Sequence, residues 1–106
     1  MAYNGGPMTE AMYYVLLALM NPNHGYQLMT AITEVSNGRL AMGPGTLYGV
    51  LSRMQKDGLI SLKEDDGRKK TYRITKDGEE ALRTEYKRLI ALVRDGRILE
   101  ERDDIG

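Results

Sequence analysis

The stretch from Gly43 to Gly58, GPGTLYGVLSRMQKDG, constrains the fold most, because it carries the signals for one complete helix. Pro44 suits a first helical turn, Thr46 can cap free backbone N–H groups there, and Gly58 suits a helix end because glycine tolerates a left-handed conformation. Four apolar side chains between these signals recur at helical spacing. They are Leu47, Val50, Leu51 and Met54. This stripe predicts a helix of about three to four turns packed against a core.

The other face of this predicted helix carries hydroxyls, an amide and two cations, but no acid before Asp57. Its residues are Thr46, Tyr48, Gly49, Ser52, Arg53, Gln55 and Lys56. Such a face suits hydrogen bonding to phosphates and base edges, and Gly49 permits close approach. From this helix alone, an ordinary solvated face is the alternative interpretation.

Charge is segregated along the chain, although its 106 residues sum to a formal charge of zero. Residues 1–38 carry two acids and no lysine or arginine, residues 39–76 carry nine cations against four acids, and residues 77–106 carry six cations against nine acids. The segments therefore have charges of −2, +5 and −3. A basic middle segment is compatible with binding a polyanion through one face, and overall neutrality predicts non-specific affinity that salt removes easily.

Composition argues against a catalytic, metal-binding or membrane-spanning protein. The chain has no cysteine, and its one histidine, His24, has no companions at metal-ligand spacing. We expect one domain without catalytic residues, metal or cofactor. No apolar run approaches the roughly 20 residues that span a bilayer, and no signal-peptide pattern precedes Thr9. We therefore expect a cytoplasmic protein with no membrane partner.

Two helices are predicted between a loose arm at residues 1–8 and the segment Gly43 to Gly58. The first runs from Thr9 to about Met20 and is apolar on two sides, which predicts a subunit interface in addition to the core. Central burial of this helix within its own domain is the alternative. The two stripes are Met8, Met12, Val15 and Leu19, and Tyr13, Leu17 and Met20. The second helix runs from His24 to about Ser36. Together with the helix predicted within Gly43 to Gly58, it outlines a helix-turn-helix.

After Gly58 the apolar pattern changes to alternation, which predicts two half-buried strands around Ile60 to Leu62 and Tyr72 to Ile74. The loop between them contains Asp-Gly followed by three consecutive cations. These are Arg68, Lys69 and Lys70. A basic hairpin tip of this kind is able to lie along a phosphate backbone or in a minor groove. Solubility is the alternative role for these cations.

A last helix is predicted from Thr75, which can cap its first turn. Its apolar seam has charged borders and predicts pairing with another helix. The seam consists of Leu82, Tyr86, Leu89 and Val93. Gly96 weakens or ends the helix, and two outcomes stay open for the residues after it: a resumed helix through Ile98 and Leu99, or a frayed acidic end.

In combination these residues resemble the PadR family of transcriptional regulators. The likeness rests on four segments that cover about residues 9–82 in order: TEAMYYVLLALM, HGYQLMTAI, GPGTLYGVLSRMQKDGLI and GRKKTYRITKDGEEAL. The resemblance implies an α+β, mostly α fold. It would comprise a flexible arm at residues 1–8, a winged helix-turn-helix at residues 9–75, and a C-terminal dimerisation helix with an acidic tail at residues 76–106.

The resemblance also implies a function: a dimeric, sequence-specific DNA-binding regulator, a repressor, relieved by a small hydrophobic effector. Its partners would be double-stranded operator DNA and a second copy of the chain. A winged-helix module for protein contacts, without DNA binding, is the alternative. The implied DNA contacts are Thr46, Tyr48, Ser52, Arg53, Lys56, Arg68, Lys69 and Lys70.

The implied dimer interface comprises Met12, Tyr13, Leu17, Leu82, Tyr86, Leu89 and Val93. The implied effector pocket comprises Tyr13, Tyr86, Leu89 and Val93, for which plain dimer core is the alternative. Tyr26 matches the family motif at the second helix. For Tyr26, packing in the core is favoured over contact of its hydroxyl with a phosphate.

Overall fold

The computed structural model describes residues 5–103, which form helices and short strands. Their order is α1 (Glu10–Ala18), β1 (Asn23–His24), α2 (Gly25–Val35), α3 (Pro44–Lys56), β2 (Ile60–Asp65), β3 (Lys70–Ile74), α4 (Lys76–Asp95) and α5 (Arg97–Asp103). Three helices followed by a hairpin form a winged helix-turn-helix, which confirms the mostly helical α+β class expected from the sequence.

The helix starts follow local capping rules. Thr9 Oγ1 accepts a hydrogen bond from the Met12 N–H at 3.1 Å, and Thr75 Oγ1 accepts one from the Gly78 N–H at 3.0 Å. At α3, however, the N-cap is Gly43, and no side chain caps the helix. The prediction that Thr46 caps α3 is therefore wrong, because the helix already begins at Pro44 and Thr46 lies on its exposed face.

The sheet has three antiparallel strands in the order β1-β3-β2. Within the hairpin, Ile60 pairs with Ile74 and Asp65 pairs with Lys70. The sequence did not predict β1, which consists of two residues. This strand pairs with β3, and Asn23 lies opposite Tyr72. We call the hairpin of β2 and β3 the wing. The pairing of β1 with β3 attaches the start of α2 to the wing.

The core lies between the first three helices and the base of the wing. Its fully buried members are Val15, Leu16, Leu19, Leu28, Ile32, Leu47, Leu51, Met54, Leu59 and Ile60. Leu16 belongs to neither stripe predicted for α1, so this helix buries more of its circumference in its own domain than expected. Tyr13 and Leu17 remain half-buried, and Met20 is 44% exposed.

Two features near the ends of the chain depart from expectation, and a third decides between the two outcomes left open after Gly96. Met8 is buried and its N–H donates to the Glu85 carboxylate, so this part of the predicted loose arm is packed; residues 1–4 lie outside the described residues. Leu82 is buried in the core of its own chain, which leaves it little surface for a subunit interface. After Gly96 the helix resumes as α5, with Ile98 and Leu99 exposed. In the described part of the chain, no helix has the length and apolar character needed to cross a membrane.

Candidate nucleic-acid interface

The polar face of α3 is fully available on the surface. Its opposite side is anchored in the core by Leu47, Leu51 and Met54, which recur at i, i+4 and i+7. This anchoring turns the predicted contacts outward. Thr46, Tyr48, Ser52, Arg53 and Lys56 are all exposed.

Two acids shape the tip of the wing. Asp66 Oδ1 accepts hydrogen bonds from the N–H groups of Lys69 at 2.7 Å and Arg68 at 3.0 Å, and Asp65 Oδ1 accepts one from the Gly67 N–H at 3.0 Å. The Lys69 and Arg68 N–H donors hold the pKa of Asp66 below its ordinary value. The chain reverses at Gly67, whose φ of +90° suits a residue without Cβ. The acids therefore hold the turn from which the basic side chains project.

The wing and the helices enclose a trough. One half, about 470 Å³, lies between Tyr48, Ser52 and Gln55 of α3 and the wing cations Arg68 and Lys70. The other half, about 420 Å³, lies between the starts of α2 and α3 and the same wing. Tyr48, Arg68 and Lys70 line both halves, so the two halves adjoin each other, and together we call them the trough. Of the eight predicted DNA contacts, it brings together Tyr48, Ser52, Arg68, Lys69 and Lys70, whereas Thr46, Arg53 and Lys56 lie outside it.

Tyr26 lines the half of the trough beside α2 and is 80% exposed. The prediction that its ring packs in the core is wrong. The physical reason is helical geometry: α2 buries Leu28 and Ile32, and Tyr26 lies on the other side of the helix. The spacing of the buried positions in α2 therefore indicates that Tyr26 is exposed. The prediction of core packing instead followed the general preference of tyrosine for partial burial.

The trough is electropositive. Three cations line it, and none of the described residues that line either half is acidic. In addition, α2 and α3 both begin at the trough without a side chain that caps their first-turn N–H groups. Cations and free helix N–H groups both favour an anion in this place.

None of the residues predicted for the dimer interface or the effector pocket lines the trough. Tyr86 is 55% exposed and Val93 is 70% exposed, while Met12, Tyr13, Leu17 and Leu89 are half-buried. Tyr13 and Leu89 line one groove of about 340 Å³ between α1 and α4, which Tyr86 and Val93 do not line. Burial raises the pKa of Tyr13, and the nearby Tyr86 and Glu85 add to this effect. A single chain therefore does not assemble the predicted four-residue pocket.

Comparison with known proteins places the chain in a family. Over residues 15–84 the chain matches the transcriptional regulator PadR-like family. It is 39% identical over 92 residues to an uncharacterized 37.1 kDa protein in transposon TN4556 of Streptomyces fradiae, covering 86% of this chain and 26% of that protein. It is 35% identical over 60 residues to the transcriptional regulator YqjI of Escherichia coli K12, covering 57% of this chain and 29% of that protein. The chain thus spans less than a third of the length of these two relatives.

A similar solved structure is the PadR family transcriptional regulator from Eggerthella lenta DSM 2243. The TM-score is 0.71 at 26% sequence identity, and the match covers 89% of this chain and 80% of that chain. The sequence match spans most of the winged helix-turn-helix described above, and the structural match extends over most of the chain. The chain belongs to the PadR-like family of transcriptional regulators.

Proposed function

We propose that this chain is a dimeric, sequence-specific DNA-binding repressor that acts in the cytoplasm. The observation that carries the proposal is the acid-free trough with its three cations, which lies directly beside the polar face of α3. A phosphodiester backbone supplies the complementary charge, and hydroxyl, amide and guanidinium groups on the helix suit base edges in a major groove. Membership of a family of transcriptional regulators supports the same function.

In this proposal α3 enters the major groove, and the wing contacts phosphates or the adjacent minor groove. Arg53 is the strongest candidate for base reading, because a guanidinium can donate two parallel hydrogen bonds to guanine. Lys69 at the wing tip is positioned by the backbone turn and is a candidate phosphate contact.

The dimer is proposed from the exposed apolar surface at the C-terminal end of the chain. Leu92 and Val93 of α4 are 53% and 70% exposed, and Ile98 and Leu99 of α5 are 61% and 57% exposed. Apolar side chains grouped along two consecutive helices are typical of a surface that a partner covers. A second copy of the chain would cover this surface, and the pair would present two α3 helices to half-sites about one helical turn apart on an inverted repeat.

A small hydrophobic effector is proposed to relieve repression by binding where α1 and α4 meet. Tyr13 and Leu89 already line a groove there, and the exposed rings and methyl groups of Tyr86 and Val93 are available to close it in a dimer. Occupation of such a site would change the spacing of the two α3 helices. Spacing controls whether both helices fit one operator.

The test is selection of binding sequences from a random duplex pool, followed by titration of a labelled selected duplex at low salt. We expect enrichment of an inverted repeat and affinity that falls steeply as salt rises. Weak binding to every duplex at low salt would refute the proposal and would favour the protein-interaction alternative.

A further inference from the structure

The two halves of the trough differ in the side chains that line them. The half beside α2, about 420 Å³, is lined by three apolar side chains that the other half lacks: Met29, Pro44 and Leu47. Leu47 is 1% exposed and Met29 is half-buried, so this apolar lining is continuous with the core. Cations alone would suit a phosphate, whereas apolar surface beside cations suits a ligand that also has an apolar part.

Two aromatic rings line the same half. Tyr26 of α2 is 80% exposed and Tyr48 of α3 is 45% exposed. Rings with this exposure offer faces and edges to another aromatic ring, and such pairs contribute beyond the burial of area. Together with the apolar lining, they supply the contacts that a flat aromatic ligand needs.

The charges of this half come from the wing, whereas its apolar and aromatic side chains come from the helices. Arg68, Lys69 and Lys70 line it, and none of the described residues around it is acidic. Lys69 lines this half and not the half beside α3. A concave site of several hundred Å³ with an apolar lining and a few polar groups on one side is typical of small-molecule binding.

We propose that the half of the trough beside α2 binds a small aromatic anion, with two or three aromatic rings and one carboxylate, sulfonate or phosphate group. The rings lie against Tyr26, Tyr48 and the apolar lining, and the anionic group pairs with the cations of the wing. The site is separate from the groove between α1 and α4, with which it shares no lining residue.

The bound anion would exclude DNA directly. Tyr48, Arg68 and Lys70 line both halves of the trough, so the ligand and a duplex require the same side chains. This consequence rests on the proposed function, whereas binding of the anion does not. Direct exclusion also differs from the effect proposed for the groove between α1 and α4, which changes the spacing of the two α3 helices.

Titration of the full chain with the fluorescent aromatic anion anilinonaphthalenesulfonate (ANS) tests the binding. Tyr26→Ala should weaken it roughly 2- to 10-fold, the effect of one aromatic contact, and Lys69→Ala roughly 2- to 5-fold, the effect of one exposed ion pair. The matched controls are Tyr86→Ala and Lys87→Ala, which change an exposed tyrosine and an exposed lysine of α4 outside the trough. Neither control should weaken binding.

A neutral analogue separates the contribution of charge. N-phenylnaphthylamine has the rings of ANS without the sulfonate, so it should bind more weakly, and Lys69→Ala should leave its affinity unchanged. The inference is overturned if ANS does not bind the wild-type chain, if Tyr26→Ala or Lys69→Ala binds it like wild type, or if Tyr86→Ala weakens binding as much as Tyr26→Ala does.

Duplex titrations at increasing ANS concentration test the exclusion of DNA. One duplex is selected by the wild-type chain from a random pool, and the other has the same bases in shuffled order. The apparent Kd of both should rise in proportion to ANS without a plateau, because direct competition has no limit, whereas coupling between separate sites has a finite factor. A plateau or an unchanged Kd would contradict direct exclusion. If the wild-type chain binds neither duplex at low salt, the proposed function fails, and the ANS titration still decides whether the anion site exists.

Discussion

Replacement of Gly78 by alanine should destabilise the fold severely. A Cβ at this position would lie 2.0 Å from the carbonyl oxygen of Leu59 and 2.9 Å from Cγ1 of Ile74. Both atoms belong to the base of the wing, and the oxygen is main chain that also accepts a hydrogen bond from the Thr75 N–H at 3.0 Å. The side chain of Thr75 in turn donates to the Gly58 carbonyl at 2.6 Å. The start of α4 therefore has to separate from the wing by an ångström or more.

The magnitude follows from opposing contributions. Insertion of a methyl group into a packed site costs about 1–3 kcal/mol, and weakening of the hydrogen bonds at this junction adds about 1 kcal/mol each. The better helix propensity of alanine offsets about 1 kcal/mol. We expect the free energy of unfolding to fall by about 2–4 kcal/mol, which corresponds to a decrease in Tm of roughly 10 °C or more in a domain of this size.

Gly49→Ala is the matched control, because Gly49 lies in the middle of α3 and an added Cβ would meet no atom within 4 Å. This variant should be stabilised by about 0.5–1 kcal/mol. Denaturant unfolding followed by circular dichroism, at equal protein concentrations, measures both variants. If Gly78→Ala is as stable as wild type, the close contact between α4 and the wing is incorrect.

Three further predictions concern the interface, the N-terminal packing and the dimer. Lys69→Ala should weaken binding to selected and shuffled duplexes alike and lower the slope of log affinity against log salt by about one, whereas Lys87→Ala should leave the slope unchanged. The Arg88 guanidinium holds the pKa of the buried Glu85 below its ordinary value of 4.5, so the ionised carboxylate stabilises the fold at neutral pH. The difference in the free energy of unfolding between wild type and Glu85→Gln should therefore shrink as pH falls below 4.5, and denaturant unfolding at several pH values measures it. Val93→Glu should lower the mass measured by light scattering from that of two chains to that of one, and an unchanged mass would exclude Val93 from the interface.

Much of the fold could be predicted because local signals decide it. The recurrence of apolar residues at the helical period of about 3.6 predicted α1 to α4. Capping and turn chemistry marked helix ends at Thr9, Thr75 and Gly58. By contrast, β1 exists only because Asn23 and His24 pair with β3, about 50 residues away, and no local pattern encodes such a partner. The burial of Leu16 likewise depends on how many elements surround α1.

The candidate site also has features that the local sequence predicts and features that depend on distant parts of the chain. The polar face of α3 was predictable because one buried stripe determines which side chains face outward. The trough was not, since it depends on the start of α2 lying beside the wing, a placement that β1 supplies. For this reason Gln55 was recognised only as a polar residue of the helix surface. Tyr26 was expected in the core for a different reason, the general preference of tyrosine for partial burial.

Native mass spectrometry of the chain mixed with its selected duplex tests the central claim most directly, because one spectrum reports both binding and stoichiometry. We expect a complex of two chains on one duplex at low salt, and we expect this complex to be lost when Arg68, Lys69 and Lys70 are all replaced by alanine. A spectrum that contains only free duplex and free protein, or an equally abundant complex with the triple variant, would contradict it.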